Sequence, residues 1–243
     1  IEGIDIMLAI DVSTSMLAED LKPNRLEAAK DVAAEFINGR PNDNIGITLF
    51  AGETFTQCPL TVDHAVLLDM IHNIKCGLIT DGTAVGMGIA NAVTRLKDSK
   101  AKSKVIILLT DGTNNKGDIS PMTAAEIAKS FGIRVYTIGV GTNGMAPYPY
   151  PVGNTVQYVS MPVEIDEKTL TEIAGTTDGN YFRATSNSKL KEVYEEIDKL
   201  EKTKLNVKEY SKRDEEYHLF ALAAFLCVLL EVLLRNSVLK KIP

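Results

Sequence analysis

Apolar runs of strand length alternate with helical patterns along most of the chain. Four of these runs are almost continuously apolar, which is typical of strands buried on both faces of a parallel sheet; they span residues 4–10, 45–50, 104–110 and 133–140. Between them, apolar positions recur at helical spacing, as in 24–37. The alternation predicts an α/β fold, a Rossmann-like, doubly wound, mostly parallel sheet with helices on both faces.

One segment interrupts this alternation. Residues 143–162 carry four prolines and three tyrosines, too many prolines for a helix. The segment follows the end of a predicted strand, so we expect a loop or hairpin on the face where open α/β sheets bind ligands. A rigid cover for an edge of the sheet is the alternative interpretation.

The C-terminal part contains a long apolar segment that does not follow the alternation of strands and helices. Residues 219–234 are apolar except for Glu231, and only basic residues follow as charged groups. This pattern favours a membrane-spanning helix with the C-terminus in the cytoplasm, although a buried or oligomerisation helix is the alternative. The predicted organisation is a folded domain at 1–202, a charged linker at 203–216, a transmembrane helix at 217–235 and a basic cytoplasmic tail at 236–243.

Composition narrows the function classes. The net charge of −6 and the lack of a Lys/Arg cluster argue against nucleic-acid binding. Three cysteines cannot form a complete disulfide framework, and none has zinc-ligand spacing. Cys58 and Cys76 are interpreted as two separate buried thiols, with a disulfide between them as the alternative.

Side-chain oxygens follow two of the predicted strands. Asp11 ends the first strand and Asp111 ends the third, so their carboxylates converge if these strands are neighbours. Ser13 and Ser15 alternate with Asp11 and point the same way in an extended loop. Thr83 lies at the start of a predicted helix, and we expect its hydroxyl to face the same edge of the sheet. Taken singly, the serines and Asp111-Gly112 could form ordinary turns, but the combination predicts a metal site.

Two carboxylates and three hydroxyls suit Mg²⁺, with Mn²⁺ or Ca²⁺ as alternatives, and not zinc or copper. Because hydroxyls outnumber acids, we expect the metal to accept an acidic side chain from a partner protein. The predicted rim that would contact this partner consists of Met16, Asn114, Asn115, Tyr148 and Tyr150.

The D-x-S-x-S motif with Thr83 and Asp111 resembles the metal-ion-dependent adhesion site (MIDAS) of von Willebrand factor A (vWA) domains. Longer blocks, such as "LKPNRLEAAK", "FAGETFTQCPLT" and "SKVIILLTDGTNNKGD", are similar to the bacterial aerotolerance (Bat) family, in particular its BatA-type members. The resemblance implies a protein of the bacterial inner membrane with a periplasmic vWA domain. It also implies Mg²⁺-dependent protein binding, other Bat-type membrane proteins and a MoxR-type AAA+ ATPase as partners, and a role in oxidative-stress tolerance or envelope assembly.

Two other classes of function are the alternatives. An acid after the first strand also suits an Mg²⁺-dependent phosphoryl-transfer enzyme, but such phosphatases carry a second Asp where this chain has Ser13. A structural membrane scaffold with a vestigial metal site is the other alternative. The chain is therefore predicted to be a non-enzymatic binding protein.

Overall fold

The computed structural model describes residues 3–142, 144–153 and 155–210, together with positions 222, 224, 225, 228, 231, 232 and 234. The chain divides into two compact units, Ile1–Glu201 and Lys202–Pro243. The first unit contains all of the strands that the structure describes.

Eight strands are present in the described residues. They are β1 (Asp5–Asp11), β2 (Asn44–Phe50), β3 (Thr54–Thr61), β4 (Lys104–Thr110), β5 (Ile133–Val140), β6 (Met145–Val152), β7 (Thr155–Pro162) and β8 (Tyr181–Ala184). All seven residues of β1 are buried, as expected for a strand at the centre of a sheet that is covered on both faces.

Six α-helices and one short 3₁₀ turn at Thr14–Leu17 connect these strands within the described part of the chain. The helices are α1 (Arg25–Asn38), α2 (His64–His72), α3 (Val85–Leu96), α4 (Pro121–Ser130), α5 (Glu167–Thr176) and α6 (Asn187–Tyr210). Asn24 caps the start of α1, because its side chain accepts a hydrogen bond of 2.8 Å from the backbone N–H of Glu27.

The main sheet has the order β3-β2-β1-β4-β5-β8. All neighbouring pairs are parallel except β2 and β3. The chain passes from β1 to β2 on one side and later returns to place β4 on the other side of β1. The strand order therefore reverses between β1 and β4, and this point is where ligand sites form in such sheets.

The α/β fold class is confirmed, but the structure contains strands in two segments where the sequence did not specify them. β3 was not predicted; it is a partly exposed edge strand that contains Pro59, so it lacks a continuous apolar run. Residues 143–162 were predicted as a loop or hairpin, and β6 and β7 form an antiparallel hairpin that is separate from the main sheet.

The predicted membrane segment lies largely outside the described residues. Among the residues that are described, no helix is long and apolar enough to cross a membrane. α6 continues to Tyr210, so the backbone of the first part of the predicted linker 203–216 is helical.

Candidate metal centre

The two predicted carboxylates meet at the point where the strand order reverses. β1 and β4 are hydrogen-bonded neighbours in parallel register, with Ile10 opposite Leu109. Asp11 is the last residue of β1 and Asp111 follows the last residue of β4. Both side chains are buried at the carboxyl edge of the sheet. The convergence that the sequence predicted is therefore present.

Hydrogen bonds join the first motif to Asp111. The Ser15 hydroxyl donates to Asp111 Oδ1 at 2.7 Å, and the Ser13 and Ser15 hydroxyl oxygens are 3.0 Å apart. Asp11 Oδ1 accepts from the backbone N–H of Ser13 at 2.9 Å, and its Oδ2 accepts from the Thr110 hydroxyl at 2.6 Å. The D-x-S-x-S loop is thus folded around its own first carboxylate.

Thr83 reaches the same edge from the loop before α3. Its Oγ1 lies 3.3 Å from the position that a Cβ on Gly112 would occupy, which places the hydroxyl directly beside the loop of Asp111. The side chain of Asn115 accepts from the backbone N–H of Thr83 at 2.9 Å. Thr83 as a residue is largely buried, but its hydroxyl is not among the buried side-chain atoms that lack a partner, and it makes no hydrogen bond within the described residues, so its oxygen is available as a ligand.

Asp81 joins the Thr83 loop to the D-x-S-x-S loop. Its carboxylate accepts from both the backbone N–H and the hydroxyl of Thr14, at 3.0 and 2.8 Å. Partial burial alone would raise the pKa of Asp81, but these hydrogen bonds lower it below its ordinary value. Together with the bond from Thr83 to Asn115, these contacts hold together three loops that are distant in sequence.

The electrostatics of the pair favour a cation. Burial and the nearby Asp111 carboxylate raise the pKa of Asp11 above its ordinary value. Burial also raises the pKa of Asp111, although Arg25 opposes that shift. Two buried carboxylates that repel each other are stabilised in their charged form by a bound divalent ion.

Arg25, which sequence reasoning did not assign to the site, holds Asp111 in place. Its Nη1 donates to Asp111 Oδ2 at 2.7 Å, while its Nε and Nη2 donate to the two oxygens of Asp20, each at 2.7 Å. The guanidinium is buried between the two acids. One Asp111 oxygen is thus engaged by Arg25 and the other by Ser15. The sequence did carry one signal of this role. Arg25 is at the first position of a helix, where the helix dipole disfavours a cation, so a basic residue there suggests an acidic partner.

The donor set fits a small, hard cation. Neighbouring oxygens around an octahedral Mg²⁺ with bonds of 2.0–2.1 Å are about 3 Å apart. The oxygen pairs Ser13–Ser15 and Ser15–Asp111 have separations of 3.0 and 2.7 Å. Within the described residues, no group of three or more His, Cys, Asp or Glu residues could hold a metal ion.

The predicted rim residues do not all lie at the surface. The prediction for Met16 is wrong: its side chain is fully buried, because the 3₁₀ turn directs it into the core. Asn114 and Asn115 are exposed in the loop after Asp111. Tyr148 and Tyr150 line a cavity of about 270 Å³ whose wall also includes Ser15. The hairpin therefore borders the predicted metal ligands.

The two cysteines of the main domain are separate free thiols, Cys58 buried and Cys76 partly buried. The Cys76 thiol donates to the backbone carbonyl of Ser13 at 3.4 Å. Burial, together with the Asp11 and Asp111 carboxylates, raises the pKa of Cys76 to about 12. The two thiols are therefore separate, as interpreted from the sequence, but only Cys58 is fully buried.

The fold and the oxygen cluster define a vWA domain. The sequence model of the von Willebrand factor type A domain matches residues 5–196, so the chain belongs to this family. A crystal structure of BatB from Bacteroides thetaiotaomicron is 34% identical, with a TM-score of 0.72, and covers 82% of this chain and 100% of that one. The predicted Bat-family relationship is therefore confirmed, while the BatA-type assignment stays a prediction.

Other relatives extend this comparison. An aerotolerance-related membrane protein from Bacteroides fragilis is 34% identical, with a TM-score of 0.70, and covers 81% of this chain and 100% of that one. Proximal thread matrix protein 1 from the mussel byssus, solved with a zinc-occupied MIDAS motif, is 25% identical with a TM-score of 0.64; 82% of this chain and 46% of that one are covered. A UPF0353 protein of Mycolicibacterium paratuberculosis is 32% identical over 203 residues, 78% of this chain, which spans 58% of that relative.

Proposed function

We propose that this chain binds a protein partner through a divalent cation, Mg²⁺ first, held by Asp11, Ser13, Ser15, Thr83 and Asp111. The observation that carries the proposal is the convergence of two buried carboxylates and three hydroxyls at the carboxyl edge of β1 and β4. The bound cation would supply a Lewis-acidic position for an acidic oxygen. The chain's own residues orient that position, because Arg25 bonds to Asp111, Thr110 bonds to Asp11, and Asp81 holds Thr14, which lies between the two serines.

The partner would present a carboxylate. Neutral hydroxyls leave a divalent ion with less charge compensation than a site of three or four acids, so an external Asp or Glu side chain completes the coordination favourably. The exposed Asn114 and Asn115 and the tyrosines of the hairpin, Tyr148 and Tyr150, surround the opening and are proposed to contact the partner.

We further propose that residues 217–235 anchor the domain in the bacterial cell membrane, with linker 203–216, an extracytoplasmic vWA domain and a cytoplasmic tail at 236–243. The description of the Bacteroides fragilis relative as a membrane protein supports this placement. By its family, the chain would act with other Bat-type membrane proteins and a MoxR-type ATPase in aerotolerance or envelope assembly.

Thr83→Ala tests the proposal, with Thr94→Ala as the matched control on the exposed face of α3. We expect Thr83→Ala to weaken Mg²⁺ binding, measured by isothermal titration calorimetry, by about tenfold or more, and Thr94→Ala to leave it unchanged. In intact membranes, the partner is identified by crosslinking and mass spectrometry. We expect the crosslink to disappear when EDTA is added and, separately, in the Thr83→Ala variant, but to remain in Thr94→Ala. Crosslinks that persist under both treatments would show that binding does not depend on the metal.

A further inference from the structure

The β6–β7 hairpin has two edges of opposite character. β6 carries proline at 147, 149 and 151, whereas the only proline of β7 is its last residue, Pro162. In an antiparallel pair, alternate residues direct both N–H and C=O away from the partner strand. Proline is tolerated only at those outward positions, because it has no N–H to give to the ladder.

The hydrogen bonds confirm which β6 positions face outward. The carbonyl of Pro147 accepts from the backbone N–H of Glu19 at 2.8 Å, so this edge of β6 lies against the segment after the 3₁₀ turn. Three consecutive outward positions of β6 therefore have no N–H. A further strand cannot pair with this edge through a normal ladder.

The opposite edge, on β7, keeps its donors. The residues opposite the three prolines are Ser160, Tyr158 and Val156, and the register requires that their N–H and C=O groups also point outward. Within the part of the chain that the structure describes, β7 has no strand partner besides β6. Every residue of β7 is exposed, including Val156 at 57% and Tyr158 at 59%.

Exposed strand edges are normally protected by charged residues, prolines or bulges. Residues 141–163 contain no Asp, Glu, Lys, Arg or His, in a chain that is 24% charged. The outward positions of β7 therefore carry no charge, and proline occurs among them only at Pro162, the last residue of the strand, whereas β6 has proline at three consecutive outward positions. Such an edge is suited to strand pairing.

We propose that β7 pairs with β7 of a second copy of this chain, in an antiparallel arrangement centred on Tyr158. This register places Val156 of one copy opposite Ser160 of the other, so that all three outward residues exchange backbone hydrogen bonds. The four-stranded sheet β6-β7-β7-β6 then ends on a proline edge at both sides. A two-fold pair of this kind closes after two copies and cannot extend into a fibre.

The pairing is independent of the proposed cation, because β7 contributes no predicted metal ligand. It predicts a monomer–dimer equilibrium of the full chain in a mild detergent, measured by sedimentation velocity, that EDTA does not change. Val156→Pro/Ser160→Pro removes two of the three outward N–H groups per copy without altering the ladder to β6. We expect it to raise the dissociation constant by about tenfold or more. Val156→Thr/Ser160→Thr, which keeps both N–H groups, should leave that constant unchanged.

A cysteine at the two-fold position tests the register directly. Opposite residues in a hydrogen-bonded pair have Cα atoms about 5.5 Å apart, within disulfide range. With the native cysteines replaced by Ser, Tyr158→Cys should form a covalent dimer on oxidation. Thr155→Cys, on the same strand, should not, since its two copies would be about 20 Å apart. The proposal would be overturned by a chain that is monomeric at about 200 µM or by a dimer that the proline variant does not weaken. Equal crosslinking at positions 155 and 158 would also overturn it, as would the finding that a strand of another protein occupies this edge.

Discussion

Arg25 shows how one buried cation organises a site made of oxygens. It lies at the first position of α1, where the helix dipole disfavours positive charge, yet its guanidinium is bonded to both Asp20 and Asp111. Asp20 in turn accepts from the backbone N–H of Thr142, which precedes the hairpin. A single side chain thus connects α1, the loop of Asp111 and the start of the hairpin.

Replacing Arg25 by Ala should lower the free energy of unfolding by about 3–5 kcal/mol, because two buried carboxylates lose their partner. Chemical denaturation measures this loss. In an Asp20→Asn background the loss should be smaller by about 1–3 kcal/mol, since one of the two acids is already neutral. Lys191→Ala, which removes an exposed pair with Glu35, is the control and should change stability little. Equal losses for Arg25→Ala and Lys191→Ala would contradict the assigned role.

At the scale of elements, close helix packing places Thr83 beside Asp111. Gly86 lies in the first turn of α3, where a Cβ would overlap with the carbonyl oxygen of Ile119 in the segment before α4. The absence of a side chain lets these two segments approach. Gly175 in α5 is also helical but faces open space, so the two glycines have different reasons to be there.

Gly86→Ala and Gly175→Ala should therefore have opposite effects on thermal stability. Gly86→Ala should lower the free energy of unfolding by about 1–3 kcal/mol through overpacking, and should weaken Mg²⁺ binding by shifting Thr83. Gly175→Ala should raise it by about 0.4–1 kcal/mol, because alanine restricts the unfolded chain and clashes with nothing. Calorimetric unfolding of both variants is the measurement. Stabilisation by Gly86→Ala would show that the close approach is not needed.

At the scale of the whole domain, a second buried polar cluster lies away from the candidate metal centre, near the amino ends of β4 and β5. Glu201 of α6 accepts from Arg134 at 2.5 Å, from the Tyr136 hydroxyl at 2.6 Å and from the Ser103 hydroxyl at 2.8 Å. Burial alone would raise the pKa of Glu201, but the hydrogen bonds from Arg134 and Tyr136 lower it below its ordinary value. This cluster fastens α6 to the sheet.

Because the pKa of Glu201 is lowered in the folded state, its charged form stabilises the fold at pH values above about 4.5. This contribution is lost as the pH falls below about 4.5. Glu201→Gln should therefore destabilise the domain at pH 7 by about 2–4 kcal/mol. The difference from the native chain should shrink between about pH 5 and pH 3, as denaturant titrations at each pH would measure. Mg²⁺ binding at pH 7 should persist, since the cluster lies at the other edge of the sheet. A constant difference across this pH range would contradict the assignment.

The residue types of the candidate metal centre were visible in the sequence. Asp11, Ser13 and Ser15 follow a buried strand with period two, and Asp111 follows another strand, so their convergence at one edge required only a parallel sheet. The residues around the site were harder to predict, because burial within an irregular turn depends on tertiary packing. Met16 was predicted at the surface but lies in the core.

The sequence by itself determined the α/β class, the helix starts at residues such as Asn24 and the five candidate ligands, because each depends on local periodicity or residue chemistry. Only the tertiary structure decided that Arg25 bonds to Asp111, that Asp81 and Asn115 hold the Thr83 loop, and that the hairpin has one open edge. These features join positions up to 86 residues apart along the chain, or depend on which way each backbone group points. The physical reason is that periodicity reports which face of an element is buried, whereas side-chain partners depend on the order and register of the strands.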